Sequence, residues 1–358
     1  MKKILCVVDA PGPAEFIAPV IPLFRGIELR LVAVKGAPTE ILKKFHPLRC
    51  DTEAEAEAIY QKHKPDALLV AMSSLMLGPY VNKRFTELFH ESGKPIIAFQ
   101  DYWANHRQPQ NAIVQSYWDA LLVPDALAER YVEEDGFHGN VYVTGNPAFE
   151  KFKNVKVADE RKRLRKKFGI SEAAKVIFYA GTGTPQSAGA DNRTFAIFAD
   201  AIRALDKAYE IVCIAHPHPR DEYPKRYREA APDLPFVEIR EGISDSFLPI
   251  ADVVISMYST SLIHACYLRI PAVSIVFPGA GKRRLQIVGL DDFPPNTFGA
   301  SVGVYEESWE ALGHALQDIF EKPSVRGKLR KNQEKYFQFP EKSSAEAVRE
   351  TIYEYLNV

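Results

Sequence analysis

Residues able to carry chemistry stand in four short stretches of this sequence, and the first is VCIAHPHPRD (212–221). An apolar run there ends in two histidines set two apart, His216 and His218, followed by Arg220. Side chains at i and i+2 of a strand share one face, which would suit two metal ligands. No further Asp, Glu, His or Cys stands nearby at a metal-ligand spacing, so the pattern favours a phosphate or sugar contact by His216, with Arg220 as a second grip. The alternative is a strand end with a surface salt pair between Arg220 and Asp221.

A glycine-rich turn, AGTGTPQSAG, follows another apolar run. Such a turn exposes backbone amides and lets a phosphate approach closely. It therefore predicts pyrophosphate binding by four residues: Gly181, Thr182, Gly183 and Thr184. The stretch lacks the GK[ST] ending of a Walker loop and is not a full GxGxxG motif. A flexible turn without a ligand is the alternative interpretation.

The third stretch, SMYSTSLIHA, leads from a predicted strand into a predicted helix through four hydroxyl-bearing residues: Tyr258, Ser259, Thr260 and Ser261. Hydroxyls and free amides at the start of a helix attract anions, so we expect a phosphate here. A serine or threonine cap without a ligand explains the same pattern. His264 lies one turn into this helix, where it would either face the ligand or be packed and satisfied.

The fourth group lies in the first half of the chain, in QDYWANHRQPQN and VVDAPGPAEF. A carboxylate or a histidine can take the proton from a hydroxyl, and aromatic rings stack on sugars. Asp101 and His106 are therefore the candidate bases, with Asp9 and Glu15 behind them. Asp and Asn are also ordinary turn residues, and Trp103 is equally compatible with a place in the core.

The elements that position these residues follow from short apolar runs that alternate with amphipathic stretches. Near-continuous apolar strands indicate a parallel sheet covered on both faces. The alternation starts at KILCVVD and restarts at KVIFYAG, which predicts two doubly wound α/β domains, 1–150 and 151–343. A final helix, 344–356, is expected to pack back on the first domain. The proline- and glycine-rich segment 277–301 has little periodicity and is interpreted as a mobile or functional loop.

Composition excludes several classes of protein. The formal net charge is −1, so no overall basic field recruits nucleic acid or an anionic membrane. No apolar stretch approaches the roughly 20 residues that span a bilayer, and the N-terminal apolar run is too short for a signal peptide. The four cysteines are scattered without a CxxC pair, which favours a reducing cytoplasm over a disulfide framework or zinc knuckle.

Several segments resemble known families in the order in which they occur. KPIIAFQDYWANHR, followed by a stretch that ends in TGNPAFEKF, is similar to UDP-N-acetylglucosamine 2-epimerases and their glycosyltransferase relatives. ISDSFLPIADVVISMYSTSLIHACYLRIPAVSI resembles the donor-binding segment of that superfamily. IAHPHP resembles the HP motif of CDP-glycerol polyol-phosphate transferases and capsule sugar transferases. The resemblance covers most of the chain and implies the GT-B fold, in which two Rossmann-like domains face a cleft.

The sequence departs from the epimerase pattern at the residues that epimerisation requires. That reaction needs an acid and a base on opposite faces of the sugar. The paired glutamate of the epimerases is replaced by Ser261-Leu262-Ile263-His264, and the acid after their fourth strand by Gln100-Asp101. An epimerase or hydrolase is therefore the second hypothesis. Many GT-B enzymes place a glutamate in the ribose-binding segment, where His264 stands here, so a non-catalytic nucleotide-sugar-binding module is the third.

The resemblance implies a metal-independent glycosyltransferase without a cofactor. The second domain would bind a nucleotide-activated sugar donor, such as a UDP-sugar, and the first would bind a hydroxyl-bearing acceptor. A sugar or polyol-phosphate group would move between them, in cell-envelope or polysaccharide synthesis. Backbone amides and hydroxyls would stabilise the leaving nucleotide, and domain closure would exclude water. Peripheral association with the inner face of the membrane and formation of a homodimer are both compatible with this function.

Overall fold

The computed structural model describes residues 1–34, 36–72, 81–181, 188–205, 209–216, 227, 229–238, 244–257 and 259–358. Within them the chain divides into two compact domains. The first domain contains residues 1–150, 287–289 and 340–358, and the second contains residues 151–286 and 290–339. Each domain is built on a parallel β-sheet of its own.

The sheet of the first domain has seven strands, all parallel, in the order β3-β2-β1-β4-β5-β6-β7. In chain order they are β1 (Lys3–Val8), β2 (Glu28–Ala33), β3 (Leu48–Arg49), β4 (Ala67–Ala71), β5 (Ile96–Phe99), β6 (Ala120–Val123) and β7 (Asn140–Val143). The central strands are buried on both faces. This is why their sequences are nearly continuous apolar runs rather than alternating ones.

Helices connect these strands, and one helix returns from the end of the chain. They are α1 (Pro11–Ile17), α2 (Ala37–Ile41), α3 (Glu53–His63), α4 (Val81–Glu91), α5 (Pro109–Ala112) and α6 (Ala126–Glu134), joined by α14 (Ser344–Leu356). Thr52 and Glu55 form a capping box at the start of α3, which satisfies amides that the first turn leaves without partners. Val348, Ile352 and Leu356 of α14 pack in the same core as β1 and α1, so the last helix completes the first domain.

The sheet of the second domain has six parallel strands in the order β10-β9-β8-β11-β12-β13. The strands are β8 (Lys175–Ala180), β9 (Ile211–His216), β10 (Phe236–Glu238), β11 (Val253–Ser256), β12 (Ala272–Ile275) and β13 (Val302–Val304). Its helices are α7 (Val157–Phe168), α8 (Ala188–Ala204), α9 (Thr260–Tyr267), α10 (Ala280–Ile287), α11 (Pro294–Thr297), α12 (Trp309–Glu321) and α13 (Pro323–Tyr336). These two sheets confirm the expected pair of doubly wound α/β domains.

Both sheets change direction of winding beside their first strand. β1 lies between β2 and β4, and β8 lies between β9 and β11, so successive strands are added first on one side and then on the other. In open α/β sheets, ligands bind outside the carboxyl ends of the strands at such a switch point. The residues that follow β1, β8 and β11 lie at these switch points, and those that follow β5 lie at the same edge of the first sheet.

One segment differs from the sequence-based expectation. Segment 277–301, interpreted as a loop, contains the short helices α10 and α11. A prolyl pair at the first turn of α11 fixes a helical φ but gives no apolar periodicity. Segment 151–170, rich in lysine and arginine, runs into α7, in which Arg165 is buried and hydrogen-bonded to Asp252.

The described residues include no helix long and apolar enough to cross a membrane. The N-terminal apolar run forms the buried strand β1, as expected. All four cysteines carry free thiols and are buried. Burial raises the pKa of the Cys50 thiol to about 11, so this thiol stays protonated at neutral pH.

Candidate functional site

The first domain brings three carboxyl groups towards the carboxyl edge of its sheet. Asp9 follows β1 directly, Glu15 lies on α1, and Asp101 stands two residues after β5. Asp9 and Asp101 are both buried, at 9% exposure each. Two acids from the β1–α1 segment and one that is distant in the chain thus lie towards the edge where ligands bind in this class of sheet.

Asp101 is held in an unusual electrostatic state. Burial raises its pKa to about 7, and the charges of Asp9 and Glu15 push it in the same direction. A hydrogen bond from Asn105 Nδ2 to Asp101 Oδ1, 2.9 Å long, offsets part of this effect. A carboxyl group with a pKa near neutrality can both accept and return a proton at physiological pH.

Gly12, at the start of α1, leaves room for the Asp101 carboxyl group. A Cβ atom at this position would lie 1.9 Å from Asp101 Oδ2, far inside any allowed contact. The backbone of the turn after β1 therefore approaches the carboxylate as only a glycine permits. Oδ1 is fixed by Asn105 while Oδ2 points towards this turn.

Asparagines hold the loop that carries Asp101. Asn146 Nδ2 donates to the backbone carbonyl of Asp101 over 2.9 Å, and its Oδ1 accepts from the amide of Ala148. Asn111 Nδ2 donates to the carbonyl of Asn105 over 2.7 Å. All three asparagines are buried, so each amide hydrogen bond is protected from competition with water.

Within the described part of the chain, His106 is hydrogen-bonded to Asp135 and not to Asp101. His106 Nε2 lies 2.7 Å from Asp135 Oδ2, and Arg107 binds the same carboxylate through two nitrogens. Burial lowers the pKa of His106, although Asp135 acts in the opposite direction. The structure therefore places His106 in a hydrogen-bonded network with Asp135, the residue that ends α6, and with Arg107.

In the second domain the ends of β8 and β11 meet side by side. Ser256 Oγ donates to the carbonyl of Ala180 over 2.7 Å, which joins the two strand ends. Gly181 follows β8, and a Cβ there would lie 2.0 Å from the Tyr227 hydroxyl oxygen. Gly181 is thus required by the packing of Tyr227, whatever else this turn binds.

Helix α9 begins at this edge. Ser259 is its N-cap, and the Ser259 hydroxyl oxygen accepts the amide of Ser261 over 3.2 Å. Thr260 is exposed at the first helical position, while Ser261 is buried. The first turn of a helix leaves amides that point out of its end, and these attract anions together with the helix dipole.

His264 lies one turn further along α9 and is only 4% exposed. Its Nδ1 lies 2.6 Å from Oδ1 of Asp245, a residue in the turn Ser244–Ser246. Lys151 Nζ donates to the other carboxylate oxygen, and the Phe152 ring packs 4.9 Å from the imidazole. Burial alone would raise the pKa of Asp245, but His264 and Lys151 outweigh it and hold this pKa well below its usual range.

Several candidate residues lie outside what the structure describes. They are Thr182, Gly183, Thr184, Arg220 and Tyr258. For His216 the backbone alone is described, at the end of β9 and paired with Ala180 of β8. Among the described residues, no group of three or more His, Cys, Asp and Glu side chains is arranged as metal ligands are.

Sequence reasoning missed the residues that support these candidates. Asp245 and Lys151 each have an ordinary local interpretation, as a turn residue and as part of a basic run. Asn105 and Asn146 likewise resemble turn residues. No local signal connects Asp245 with His264, because only the packing of α9 brings the two together. Gly12 was visible as part of the strand–turn–helix stretch, but its contact with Asp101 was not.

Two Rossmann-like domains with these strand orders define a protein of the GT-B class. A family model matches residues 93–354 and is described as CDP-glycerol:poly(glycerophosphate) glycerophosphotransferase. The match covers most of the chain, and this protein belongs to that family. The resemblance seen in its IAHPHP stretch is thereby confirmed at the level of the family. A search of curated proteins finds no match.

Solved structures with the same fold cover nearly the whole chain. The UDP-GlcNAc 2-epimerase of Neisseria meningitidis bound to UDP-GlcNAc has a TM-score of 0.72 at 14% identity, over 98% of this chain and 100% of that one. The S. aureus MnaA–UDP structure has a TM-score of 0.72 at 15% identity, over 100% and 97%. MurG of Acinetobacter baumannii has a TM-score of 0.63 at 13% identity, over 99% and 100%. At these identities the likeness establishes the fold.

Proposed function

We propose that this protein transfers a polyol-phosphate group from a cytidine-diphosphate-activated donor to an acceptor hydroxyl. The observation that carries the proposal is Asp101, a buried carboxyl group with a pKa of about 7 at the carboxyl edge of the first sheet. Membership of the glycerophosphotransferase family supports the donor and the group transferred. The acceptor would bind in the first domain and the donor in the second.

In this mechanism Asp101 is the general base. As the acceptor oxygen attacks the phosphorus that bears the polyol, its proton passes to the Asp101 carboxylate. A new O–P bond forms, the P–O bond to cytidine monophosphate breaks, and the nucleotide leaves with the bonding electrons. Burial, together with the charges of Asp9 and Glu15, keeps the Asp101 pKa close to the working pH. His106, paired with Asp135, is assigned to holding the loop rather than to proton transfer.

The donor phosphates are assigned to the start of α9, with Ser259, Thr260, Ser261 and His264. Amides and hydroxyls there would stabilise the charge that develops on the leaving nucleotide. We propose two further contacts with the donor phosphates. They are the turn after β8, from Gly181 to Thr184, and the end of β9, with His216 and Arg220. Tyr258 completes the set expected from the sequence.

Turnover with and without an acceptor separates the three hypotheses. Purified protein is incubated with CDP-glycerol, with or without a glycerophosphate oligomer, and release of cytidine monophosphate is measured. Release that requires the oligomer supports the transferase. Equal release without the oligomer indicates a hydrolase. In a parallel incubation with UDP-N-acetylglucosamine, a change of configuration in the sugar indicates an epimerase. Binding of a nucleotide without turnover of any substrate indicates a binding module.

The donor site is tested with Ser259→Ala, matched by Ser308→Ala. Each serine caps a helix of the second domain, and each substitution is expected to cost about 1 kcal/mol of stability. Saturating cytidine diphosphate, at about 100 times its dissociation constant, should stabilise the wild type by about 2.7 kcal/mol in a thermal-shift assay. We expect Ser259→Ala to lose part of that shift and Ser308→Ala to retain it. Equal shifts in both variants would remove the start of α9 from the donor site.

The close approach of Gly12 to Asp101 gives a second test. Gly12→Ala would displace the Asp101 carboxylate, and misplacing a reacting group by about 1 Å can cost about 100-fold in rate. We therefore expect kcat/KM to fall by about that factor. Gly327→Ala is the matched control, since Gly327 lies in α13 with open space where its Cβ would be. Wild-type kcat/KM in both variants would mean that Oδ2 of Asp101 is not the oxygen that takes the acceptor proton.

A further inference from the structure

The second domain holds a chain of three ionisable groups, the exposed Lys151 and the buried Asp245 and His264, that the proposed mechanism does not yet use. Lys151 and His264 bind the two oxygens of the same carboxylate, that of Asp245. The Asp245 side chain is 9% exposed and that of His264 is 5% exposed. A carboxylate with both oxygens engaged in this way is anionic at neutral pH, and its low pKa follows from these two partners.

The contact is made by a particular nitrogen of the imidazole ring. An anionic carboxylate 2.6 Å from Nδ1 can only accept a hydrogen bond, so the proton of the neutral ring must reside on Nδ1. Nε2 is then the nitrogen that accepts a hydrogen bond in the neutral ring, or donates one when the ring is cationic.

The place of His264 on α9 relates this ring to the start of the helix. Side chains on a helix lean towards its N-terminus and cover the turn before their own Cα. His264 therefore lies on the same face as Thr260 and Ser261, which stand four and three residues earlier. Ser261 is buried beside the capped first turn, so the imidazole and the first-turn amides belong to one region.

From these contacts we propose that Asp245 is a positioning residue for the donor site, holding His264 as the Nδ1–H tautomer so that Nε2 accepts a hydrogen bond from a hydroxyl of the donor. The identity of the ligand in this inference rests on the proposed function, whereas the orientation and tautomer of the His264 ring do not. Asp245 itself touches no substrate in this scheme and acts only through His264. Lys151 occupies the second carboxylate oxygen and keeps Asp245 from turning away from the ring.

The tautomer is measured first, because it does not depend on any activity. Protein labelled with 15N in its histidine rings is studied by NMR at pH 8, and His264→Gln identifies the His264 signals. We expect a protonated Nδ1 in the wild type and a mixture of tautomers in Asp245→Asn. A wild-type ring with the proton on Nε2, or an unchanged Nδ1–H in Asp245→Asn, would overturn the proposal.

The functional half is tested by a double-mutant cycle on the affinity for cytidine diphosphate. Asp245→Asn is expected to weaken binding about 10- to 100-fold, as loss of a charged hydrogen-bond partner does. If Asp245 acts through His264, the double variant with His264→Gln binds no more weakly than His264→Gln alone. Independent, additive losses would refute a role through His264.

Asp135→Asn is the matched control, because it removes a carboxylate from another buried histidine, His106, in the first domain. It is expected to leave the nucleotide affinity unchanged, and an equal loss in this variant would mean that any such substitution weakens binding through stability alone. A wild type that binds no cytidine nucleotide would refute the proposed function and, with it, the contact of Nε2 with the donor. The NMR result would still decide whether Asp245 sets the tautomer.

Discussion

Replacing Asp101 by asparagine is expected to lower the rate of transfer by about 100- to 10,000-fold, the usual contribution of a general base. The substitution keeps the shape of the side chain and its hydrogen bond to Asn105 while removing the ability to take a proton. In the wild type the rate should rise with pH through about 7, as Asp101 ionises, and then level off. The asparagine variant should lack this rise.

The same variant should be more stable than the wild type above pH 7. The pKa of Asp101 is raised in the folded protein from its ordinary value of 3.8 to about 7. The folded state thus holds its proton where the unfolded state has lost it, so stability falls as pH rises from about 4 to about 7. Asparagine does not ionise and avoids this loss. A higher melting temperature at pH 8 together with lost activity separates loss of a base from loss of the fold.

Glu15→Gln provides the comparison for this test. The charge of Glu15 raises the Asp101 pKa, so removing it should shift the rise in rate to lower pH. Asp101→Asn abolishes the rise, whereas Glu15→Gln moves it. If Asp101→Asn retained both the rate and its pH dependence, another group would be the base, and His106 would be the next residue to test.

The largest expected loss of stability comes from Asp252→Ala. Asp252 accepts hydrogen bonds from Arg165 over 2.9 Å, Arg161 over 3.0 Å and the amide of Val176 over 2.8 Å. The Arg165 side chain is 3% exposed. Without Asp252 the Arg165 guanidinium remains buried and loses the negative charge of this carboxylate. Breaking such a buried pair costs about 3–5 kcal/mol.

We expect the lower end of that range, because Asp252 is partly exposed and Arg165 keeps its bonds to three backbone carbonyls. For a domain of this size, about 3 kcal/mol lowers the melting temperature by about 6–12 °C. Scanning calorimetry of the whole protein measures this shift. Most of the loss should appear in the transition of the second domain, where α7 is held against the start of β8 and β11.

Asp233→Ala is the control for the stability prediction. Asp233 also pairs with an arginine through two hydrogen bonds, but Arg203 and Asp233 are both exposed. Arg203 in addition keeps Asp200. Exposed pairs contribute little, so this variant should melt close to the wild type. Equal losses in the two variants would show that burial of Arg165 does not govern the effect.

The strands were the most predictable part of the fold. A parallel strand covered on both faces must be apolar throughout, so KILCVVD and KVIFYAG revealed β1 and β8 without reference to any partner. The helices of segment 277–301 were not predictable in this way. They are short, contain proline or glycine, and show too few turns for an apolar period to appear.

The candidate site was predictable in part, and for a related reason. Residues that follow a strand in a parallel sheet reach its carboxyl edge, so the positions of Asp9, Asp101, Ser259 and Ser261 in the sequence already indicated a site. Asp245 is not marked in this way by the sequence. It became a candidate only because the structure places its carboxylate against His264.

The sequence by itself determined the two sheets, the class of fold and which chain segments reach the ligand-binding edges, because these follow from local apolar patterns and from parallel strand direction. Only the tertiary structure decided the state of the groups at those edges. The pKa of Asp101 depends on burial and on the charges of Asp9 and Glu15. The partner of His264 depends on the packing of α9 against the turn that carries Asp245. Such interactions act through space, and they join residues that are distant in the chain.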